Sequence, residues 1–458
     1  MPAVKPIRAI TYCPPDNGDV STRIAPPYDI LDETAKSHLL GADPHNIVAI
    51  DLPHLPPKTV GPDATYEQAG RTYRQWLEEG VLERRHRPAL FVYRQSFELP
   101  DDHGRTWQRL GLIAAVAVRP FGPSRDGLGG IYPHEQTFDA PKEDRLKLMR
   151  ATRAQLSPIF GLYSDPAGEI RELIGAFTAG DPDFFGTTAA DGVLHEVRAM
   201  VDEAQIDRLS NILSAKDIFI ADGHHRYTTA LNYKAEGAGP KDDPDHPAGF
   251  CMFVLIAMQD PAMRVLPTHR VLGGMSAFNF EQFAAGAKGL LKIEPFAPDP
   301  GAGAGQLADL TALERDLPGR GPHAIGLYNP KGRGAPLSIA TPCSPDPLAG
   351  YFPHQTPAWR QLDVAIVRHL IVEKICQPRF FTSGPTPGQV KWHFPHSLRE
   401  LLDLALTSDN QLGLILQPPS LESIRQISEA GELMPQKSTF FYPKLATGLV
   451  IHPLRMES

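Results

Sequence analysis

Cysteine is scarce in this sequence, and its placement excludes two classes of cross-linked protein. The 458 residues include 4 cysteines, Cys13, Cys251, Cys343 and Cys376, and no two of them form a CxxC pair. Neither a disulfide framework nor a zinc ribbon fits so wide a spacing. A chain of this length can also bury a core without covalent or metal cross-links. We therefore expect free thiols and a cytoplasmic protein.

Positive charge and long apolar runs are also in short supply. Lys and Arg total 45 against 53 Asp and Glu, a formal net charge of −8. Binding to nucleic acid or to an anionic membrane normally needs a basic face, so this balance disfavours both partners. The longest apolar run, at residues 250–258, is far shorter than the roughly 20 residues that span a bilayer. It predicts a buried strand, and no apolar signal segment is seen.

Three common catalytic signatures are absent. The sequence has no GxxxxGK[ST], no GxGxxG and no GxSxG motif, and the GAGAG at residues 301–305 lacks the third spacing. These patterns build the phosphate loops of P-loop and dinucleotide-binding proteins and the nucleophile turn of α/β-hydrolases. Interpretations as a P-loop kinase, a Rossmann dehydrogenase or an α/β-hydrolase therefore lose support.

Proline is what the sequence has in excess. It accounts for 46 of 458 residues, about twice the usual share of roughly 5%. Proline without a repeat indicates many rigid loops and argues against a long helical bundle. Between these loops, helix-like and strand-like segments alternate. We predict helices over residues 65–80, 143–156, 203–215, 359–376 and 421–430, and strands over 111–118, 218–221 and 412–416, with a strand pair over 440–454.

This mixture predicts an α/β or α+β fold with mixed sheets and flanking helices. Loop-rich stretches at residues 236–249 and 297–305 are candidate boundaries. We accordingly expect an N-terminal α/β lobe over residues 1–240 and a C-terminal α/β lobe over residues 241–458, although one interlocked unit is also consistent with the pattern.

The densest chemistry lies at residues 216–236, KDIFIADGHHRYTTALNYKAE. A buried run ends at Ala221, Asp222 and Gly223 form a turn, and helical spacing starts at Arg226 or Tyr227. This order predicts a strand, a tight turn and a helix start. Such a junction presents free backbone N–H groups and the positive end of the helix dipole to an anion.

The side chains of this turn suit phosphate chemistry. Arg226 can bind a phosphate through two hydrogen bonds. His224 or His225 can donate hydrogen bonds or move a proton, and Asp222 can bind a metal or orient a histidine. The alternative is structural, with Asp222 capping the helix and the histidines satisfying buried carbonyls.

A second cluster lies at residues 132–145, YPHEQTFDAPKEDR. His134, Glu135 and Thr137 precede a predicted helix that carries Lys142 and Arg145. Glu135 suits a general base or a magnesium ligand, and the two cations suit the neutralisation of a transferred phosphate. The zinc-protease pattern HExxH is not met, because position 138 is Phe. The alternative is a solvated helix entry.

Three lesser segments add polar groups, and each of them also fits a structural turn or an exposed loop. They are APPYD at residues 25–29, LPTHR at residues 266–270 and MPQKSTFFYPK at residues 434–444. They supply Tyr28 and Asp29, His269 and Arg270, and Lys437 and Lys444, respectively.

Together these segments resemble one family. The motifs that carry the resemblance are PPYD (26–29), PHEQT (133–137), PKEDRLKLMRATRAQLSPIFGLY (141–163), IADGHHRYTTA (220–230), LPTHR (266–270) and MPQKSTFFYPKLATGL (434–449). They look like an uncharacterised prokaryotic family, the domain-of-unknown-function family numbered 1015. The resemblance spans nearly the whole chain but implies little about activity, because that family has no settled one.

A more distant resemblance concerns DGHHR at residues 222–226. It is similar to the phosphate box of the ParB/sulfiredoxin superfamily, which includes ParB nucleotide-binding domains, sulfiredoxins and archaeal free-serine kinases. The resemblance implies a ParB/sulfiredoxin-like core with additional elements, in which Gly223, His224, His225 and Arg226 bind phosphate. His224 stands where sulfiredoxin has its cysteine, so sulfinic-acid reduction is not implied. No basic recognition helix of the ParB kind is present.

With that resemblance, the residues predict phosphoryl transfer between a nucleotide or pyrophosphate-type donor and a small hydroxyl metabolite, with free serine as one candidate and either direction open. The serine-kinase branch uses a carboxylate base, and Glu135, Asp29 and His224 are the catalytic candidates here. The expected cofactors are Mg²⁺, with Asp222 and Glu135 as candidate ligands, and ATP, ADP or pyrophosphate as donor.

The remaining assignments divide into two sets. Phosphate or nucleotide binding is predicted for Asp222, Gly223, His225, Arg226, Lys142 and Arg145. Substrate binding is predicted for Tyr28, His134, Thr137, His269, Arg270 and Lys437.

Two other functions stay open. The first is a nucleotide-binding switch or scaffold without turnover. The second is a metallohydrolase built from His134, Glu135, Asp222, His224 and His225, although adjacent histidines rarely both point at one metal. The sequence does not reveal the oligomeric state.

Overall fold

The computed structural model describes residues 4–100, 102–123, 129–237, 243, 245–275, 277–298, 305–332, 336–381 and 390–455. The chain forms two compact units. The first unit comprises Met1–Met263 and Pro443–Ser458, and the second unit comprises Arg264–Tyr442. The boundary predicted at residues 240–241 lies outside the described residues. The chain from Pro443 onward returns to the first unit.

The strands, in chain order, are β1 (Val4–Lys5), β2 (Ile10–Tyr12), β3 (Leu82–Arg84), β4 (Leu90–Leu99), β5 (Asp102–Ala117), β6 (Ile131–Tyr132), β7 (Ala154–Gln155), β8 (Ile159–Tyr163), β9 (Phe184–Thr187), β10 (Leu194–Met200), β11 (Ile218–Asp222), β12 (Phe250–Ala257), β13 (Arg264–Leu266), β14 (Arg270–Gly273), β15 (Leu291–Pro295), β16 (Ile325–Tyr328), β17 (Leu337–Pro342), β18 (Lys391–His393), β19 (Asn410–Ile415), β20 (Phe440–Tyr442) and β21 (His452–Pro453).

The α-helices are α1 (Glu33–Ala42), α2 (Val48–Asp51), α3 (Asp63–Glu78), α4 (Asp139–Thr152), α5 (Glu169–Gly175), α6 (Glu203–Ser214), α7 (His224–Ala235), α8 (Phe280–Ala287), α9 (Gln306–Asp316), α10 (Pro357–Arg360), α11 (Asp363–Ile366), α12 (Gln377–Phe380), α13 (Leu398–Ala405) and α14 (Leu421–Glu429). A π-helix spans Val367–Cys376, and 3₁₀ turns span Tyr28–Ile30, Ala176–Ala179, Pro247–Gly249 and Leu317–Arg320. Within the described ranges, none of these helices combines the length and the apolarity that crossing a bilayer requires.

A mixed sheet forms the centre of the first unit. Its 9 strands run in the order β6-β11-β8-β12-β5-β4-β10-β9, with β1 beside β5. Strand β12 is parallel to β8 and antiparallel to β5. Every residue of β12 is buried, because this strand has neighbours on both edges and side chains covering both faces. The predicted buried strand and the predicted mixed α/β class are both confirmed.

Two helices of the first unit pack their apolar sides on this sheet. The core contains side chains from α6 and α7, namely Ile206, Leu209, Leu213, Tyr227 and Ala230. Helix α4 packs in turn against α7, where Leu146 and Met149 meet Tyr233. The segment after β6 and the start of α7 are therefore held close to each other.

The second unit is built on an antiparallel sheet of 6 strands in the order β15-β17-β16-β19-β14-β18. Helices α9 and α13 cover it with a continuous apolar cluster that includes Leu310, Leu313, Leu398 and Leu401. This alternation of antiparallel strands with covering helices also agrees with the predicted fold class.

Two sequence-based elements differ from the structure. The single helix predicted over residues 359–376 is divided into α10, α11 and the π-helix. Its apolar periodicity does not distinguish an i→i+4 ladder from an i→i+5 ladder. Two strands lie within residues 440–454, as predicted, but they do not pair with each other, because β20 pairs with β13 and β21 pairs with β7. Strand partners are set by the tertiary fold, which the local pattern does not encode.

Candidate functional site

The strand, turn and helix predicted over residues 216–236 are present, although the helix begins earlier than expected. Strand β11 ends at Asp222, Gly223 adopts φ 95°, and α7 begins at His224 instead of Arg226 or Tyr227. Such a positive φ is accessible to glycine but costly for residues that carry a Cβ. The first backbone N–H groups of a helix have no partner within it, and no described side chain caps α7. Its N-terminus can therefore accept an anion.

Two cations flank the carboxylate of Asp222. Arg226 Nη2 donates to Asp222 Oδ2 at 2.8 Å, and Lys444 Nζ lies 3.4 Å from Oδ1. Arg226 also donates from Nη1 to the backbone carbonyl of Pro158. Burial alone would raise the pKa of Asp222, but Lys444 and Arg226 hold it well below its usual value. The carboxylate is therefore ionised, with a cation on each oxygen.

A second ion pair belongs to the same group of charges. Lys58 Nζ lies 3.1 Å from Asp29 Oδ2. Burial and the like charge of Asp222 raise the pKa of Asp29, but Lys58, Arg226 and Lys444 outweigh them and lower it. Lys58 has φ 67°, an uncommon conformation for a residue other than glycine. We call Asp29, Lys58, Asp222, Arg226 and Lys444 the charge cluster.

The ring of His224 connects β6 and its following loop to the start of α7. The backbone N–H of His134 donates to His224 Nε2 at 3.2 Å, and the two rings meet edge-on with centroids 4.6 Å apart. Burial lowers the pKa of both histidines. The neutral ring of His224 therefore carries its proton on Nδ1, which lies 4.0 Å from Glu135 Oε2. Glu135 itself is 33% exposed and accessible to a ligand.

His225 lies among the acids and lysines of this region. Its Nε2 accepts from the backbone N–H of Phe138 at 3.0 Å, and the two rings are stacked. Burial lowers its pKa, while the charges of Glu135, Lys58 and Asp29 act on the same ring. His225 therefore links the neighbourhood of Glu135 to the charge cluster.

Arg145, predicted to bind phosphate, is enclosed by the fold. Its side chain is 6% exposed, Nε donates to Asp144 Oδ2 at 2.8 Å, and Nη1 donates to the backbone carbonyl of Asp51 at 2.7 Å. Its guanidinium also lies 3.7 Å from the ring centroid of Tyr28, which is buried. These contacts connect α4 to α2 and to the 3₁₀ turn at Tyr28–Ile30.

The other predicted residues are placed as follows. Lys142 Nζ pairs with Asp139 Oδ1 at 2.8 Å within α4. Thr137 is half-buried in the loop before that helix.

Three predicted substrate-binding residues belong to the second unit. His269 Nδ1 accepts from the backbone N–H of Leu416 at 3.2 Å, and its Nε2 lies 3.4 Å from Glu314 Oε1. Arg270 Nη2 donates to the backbone carbonyl of Lys437 at 2.8 Å. These contacts place His269 within the packing of the second unit.

Comparison with known families identifies the chain. A family model described as "Protein of unknown function (DUF1015)" matches residues 4–365. The chain belongs to the DUF1015 family. This confirms the resemblance drawn from the sequence motifs, and no curated protein matches.

Solved structures similar to this DUF1015 protein share little sequence with it. A free serine kinase in complex with AMP has 12% identity and a TM-score of 0.31, covering 68% of this chain and 83% of that chain. A conserved hypothetical protein from Pyrococcus furiosus has 14% identity and a TM-score of 0.30, with coverages of 69% and 88%. C-terminally truncated SbnI from Staphylococcus aureus has 12% identity and a TM-score of 0.32, with coverages of 75% and 87%. These weak likenesses do not decide an activity.

Two lysines of the DUF1015 protein's charge cluster were not predicted as site residues. Lys58 was not singled out, and of the two lysines noted in the segment at residues 434–444 only Lys437 was assigned a role. Both lysines of the cluster come directly after a proline, Pro57 and Pro443. The same pattern occurs at Pro141-Lys142, which lies outside the cluster, so the sequence carries no local signal that identifies these two lysines.

The geometry gives no support to a metal site made of histidines. Within the described ranges, no group of three or more His, Cys, Asp or Glu side chains is placed to hold a metal ion. The Nε2 atoms of His224 and His225 already accept backbone N–H groups. Their Nε2 lone pairs are therefore occupied, which removes two of the five ligands from the metallohydrolase interpretation.

Proposed function

We propose that the charge cluster and Glu135 form a phosphoryl-transfer site. A nucleotide or pyrophosphate-type donor gives its terminal phosphoryl group to a small hydroxyl metabolite, with free serine as one candidate acceptor. The observation that supports this most strongly is the gathering of Lys58, Arg226 and Lys444 around the carboxylates that adjoin the start of α7. Phosphoryl transfer depends mainly on positioning and charge stabilisation, which such a group can supply.

The backbone and the cations would share the donor phosphates. The free N–H groups of the first turn of α7 donate to phosphate oxygens, and the helix dipole favours the negative charge. Arg226 and Lys444 are held by Asp222 at 2.8 and 3.4 Å, and Lys58 by Asp29 at 3.1 Å. A bound phosphate therefore competes with these two carboxylates for the same three cations.

Glu135 is the proposed base. The acceptor oxygen forms a bond to the phosphorus while the bond from phosphorus to the bridging oxygen of the donor breaks. The hydroxyl proton passes to Glu135, and the donor departs with the bonding electrons on its oxygen, where the cations stabilise them. The Nδ1 atom of neutral His224 lies 4.0 Å from the Glu135 carboxylate and would help to orient it.

The residues also fit a magnesium ion. Mg²⁺ usually binds one or two carboxylates together with substrate phosphates and waters. Asp29 and Asp222 have lowered pKa values, and the charge of Asp222 acts on Asp29. These two carboxylates, and not the Asp222–Glu135 pair suggested by the sequence, are the proposed ligands. The ion would neutralise charge on the donor phosphates.

The test is an assay of the purified chain with Mg²⁺, labelled ATP, ADP or pyrophosphate, and a panel of small alcohols that includes serine. We expect Glu135→Gln to lower kcat by about 10²–10⁴-fold and to leave the donor KM nearly unchanged. Arg226→Gln is expected to raise the donor KM. Glu143→Gln, an exposed position on α4, is the matched control and should behave as wild type. If wild type consumes no donor, the proposal fails.

Binding without turnover would point to the alternative, a nucleotide-binding switch. A ligand at 100 times its Kd stabilises a protein by about 2.7 kcal/mol, which a thermal-shift measurement detects. An equal shift in wild type and Glu135→Gln, with no product in either, would replace the enzyme with the switch.

A further inference from the structure

A cavity in the second unit is not used by the proposed phosphoryl-transfer site. Its volume is about 310 Å³, within the range of roughly 300–1,000 Å³ that is typical of small-molecule sites. Its lining combines cations, aromatic rings and aliphatic side chains. The lining residues that bear on its chemistry are Arg270, Arg368, Val372, Glu373, Trp392 and Phe394.

Arg270 is a buried cation without an acidic partner. It is 3% exposed, and it donates to the backbone carbonyls of Thr268, His269 and Lys437. These acceptors carry no net charge, and no carboxylate of the described residues acts on it. Burial lowers its pKa to about 9. An isolated buried charge is costly, so an anion in the cavity would compensate it.

Arg270 also retains donors for such an anion. A guanidinium has five N–H groups, and the carbonyl contacts use two from Nη1 and one from Nη2. The Nε–H and one Nη2 proton donate to no described residue. Two donors on one planar group suit a carboxylate or a phosphate.

The aromatic residues give the cavity a flat apolar wall. The rings of Trp392 and Phe394 are nearly parallel, with an interplanar angle of 7° and centroids 6.3 Å apart. The guanidinium of Arg270 lies 4.8 Å from the centroid of Phe394. A planar ligand can stack on this wall while its anionic group reaches the arginine.

The π-helix contributes a second cation and the only acid among the six residues named above. Arg368 is 54% exposed and its Nε lies 3.8 Å from Glu373 Oε1. The same carboxylate group accepts from His369 at 3.0 Å, so Glu373 is already paired and does not neutralise Arg270. π-Helical segments are rare and frequently occur at functional sites. Arg368 is therefore placed to supplement Arg270.

We propose that this cavity binds a small planar organic anion. Its carboxylate or phosphate group contacts Arg270 and Arg368, and its ring or conjugated part lies against Trp392 and Phe394. This site differs from the charge cluster in its residues and in its preference for an aromatic ligand.

The test uses the full chain and four probes: benzoate, phenyl phosphate, the neutral analogue benzamide, and inorganic phosphate. Binding is followed by calorimetry and by tryptophan fluorescence. Arg270→Gln and Arg368→Gln are the site variants, Trp392→Phe removes the optical reporter, and Arg425→Gln is the control. Arg425 lies on α14, where it pairs with Glu422 and Glu429.

We expect benzoate and phenyl phosphate to bind wild type at least about tenfold more tightly than benzamide, as charge-assisted hydrogen bonds predict. Each site variant should weaken both anions by a similar factor, while Arg425→Gln binds as wild type does. Trp392→Phe should lose the fluorescence change and retain measurable heat. Phenyl phosphate can also bind at the charge cluster, so Arg226→Gln is titrated in parallel and should leave benzoate binding unchanged.

Three results would overturn the proposal. One is equal affinity for benzoate and benzamide. Another is unaltered benzoate binding in both arginine variants. The third is inorganic phosphate binding as tightly as phenyl phosphate in Arg226→Gln, which would remove the aromatic contribution. If Arg270→Gln does not fold, Arg368→Gln decides, because the Arg368 side chain is 54% exposed and its replacement leaves the core intact.

Discussion

Replacing Asp222 by Asn tests the charge cluster most directly, because stability and anion affinity should change in opposite directions. In the structure, Asp222 accepts from Arg226 at 2.8 Å and from Lys444 at 3.4 Å. Asn keeps the shape and one acceptor oxygen but removes the negative charge. Both cations then lose their counter-ion and become more available to a phosphate.

The magnitude follows from the burial of the three side chains. Asp222, Arg226 and Lys444 are 28%, 12% and 18% exposed, which places them between surface and buried ion pairs. Exposed pairs contribute about 0–1 kcal/mol, and breaking a buried pair costs about 3–5 kcal/mol. We expect the free energy of unfolding to fall by about 1–3 kcal/mol. Removing the competing charge should tighten pyrophosphate binding by about tenfold, or 1.4 kcal/mol.

The assay combines urea denaturation with calorimetric titration of pyrophosphate, with and without Mg²⁺. Without the metal, Asp222→Asn should bind pyrophosphate more tightly than wild type. With Mg²⁺ it should bind more weakly, because one of the two proposed metal ligands is lost. Asp409→Asn is the control, since Asp409 forms an exposed pair with Lys391 at 2.6 Å and should change neither property. Reduced stability without any gain in metal-free affinity would refute the claim that these cations face the ligand.

Three further predictions concern the scaffold. Gly223→Ala should lower the free energy of unfolding by about 1–2 kcal/mol, because φ is 95° there, and it should weaken phosphate binding. An unchanged urea midpoint would contradict the predicted loss of stability. Arg145→Met should lower the free energy of unfolding by about 3–5 kcal/mol, because it leaves buried carboxylates unpaired. A second substitution, Asp51→Asn, should restore part of that stability in the same urea assay. Burial lowers the pKa of His452 to about 4 and that of His195 to about 3. The stability that each neutral histidine contributes is fully present above about pH 6.5. As the pH falls below that value, each histidine should lower the free energy of unfolding by about 1.4 kcal/mol per pH unit. Urea curves with equal midpoints at about pH 7 and about pH 5 would exclude this effect.

The strand, turn and helix at residues 218–235 could be predicted because each step is local. An apolar run indicates β11, the Asp222–Gly223 pair indicates a turn, and helical spacing indicates α7. The start of the helix was misplaced, at Arg226 or Tyr227 instead of His224. Apolar periodicity reveals a helix only where it packs, and the first turn after a glycine needs no apolar residue.

The partners of the charged residues could not be predicted, because they are distant in sequence. Arg145 and Arg226 look equally suited to phosphate, yet Arg145 binds the carbonyl of Asp51, 94 positions away, and is enclosed. Lys444 reaches Asp222 across 222 positions. Only the return of the chain to the first unit at Pro443 creates that contact. Residue type therefore indicated which side chains are suited to bind an anion, and the tertiary fold determines which of these cations lie beside Asp222.

The balance of charge within the cluster has a consequence for selectivity. Its three cations face two ionised carboxylates, Asp29 and Asp222, so the site is not a simple positive pocket. A free phosphate must take Lys58, Arg226 and Lys444 from those acids and leave the acids uncompensated. A phosphate that arrives with a divalent cation would avoid this cost, because Asp29 and Asp222 would hold the ion and its positive charge would compensate them. We therefore expect the cluster to favour a magnesium-bound polyphosphate over a free phosphate ion.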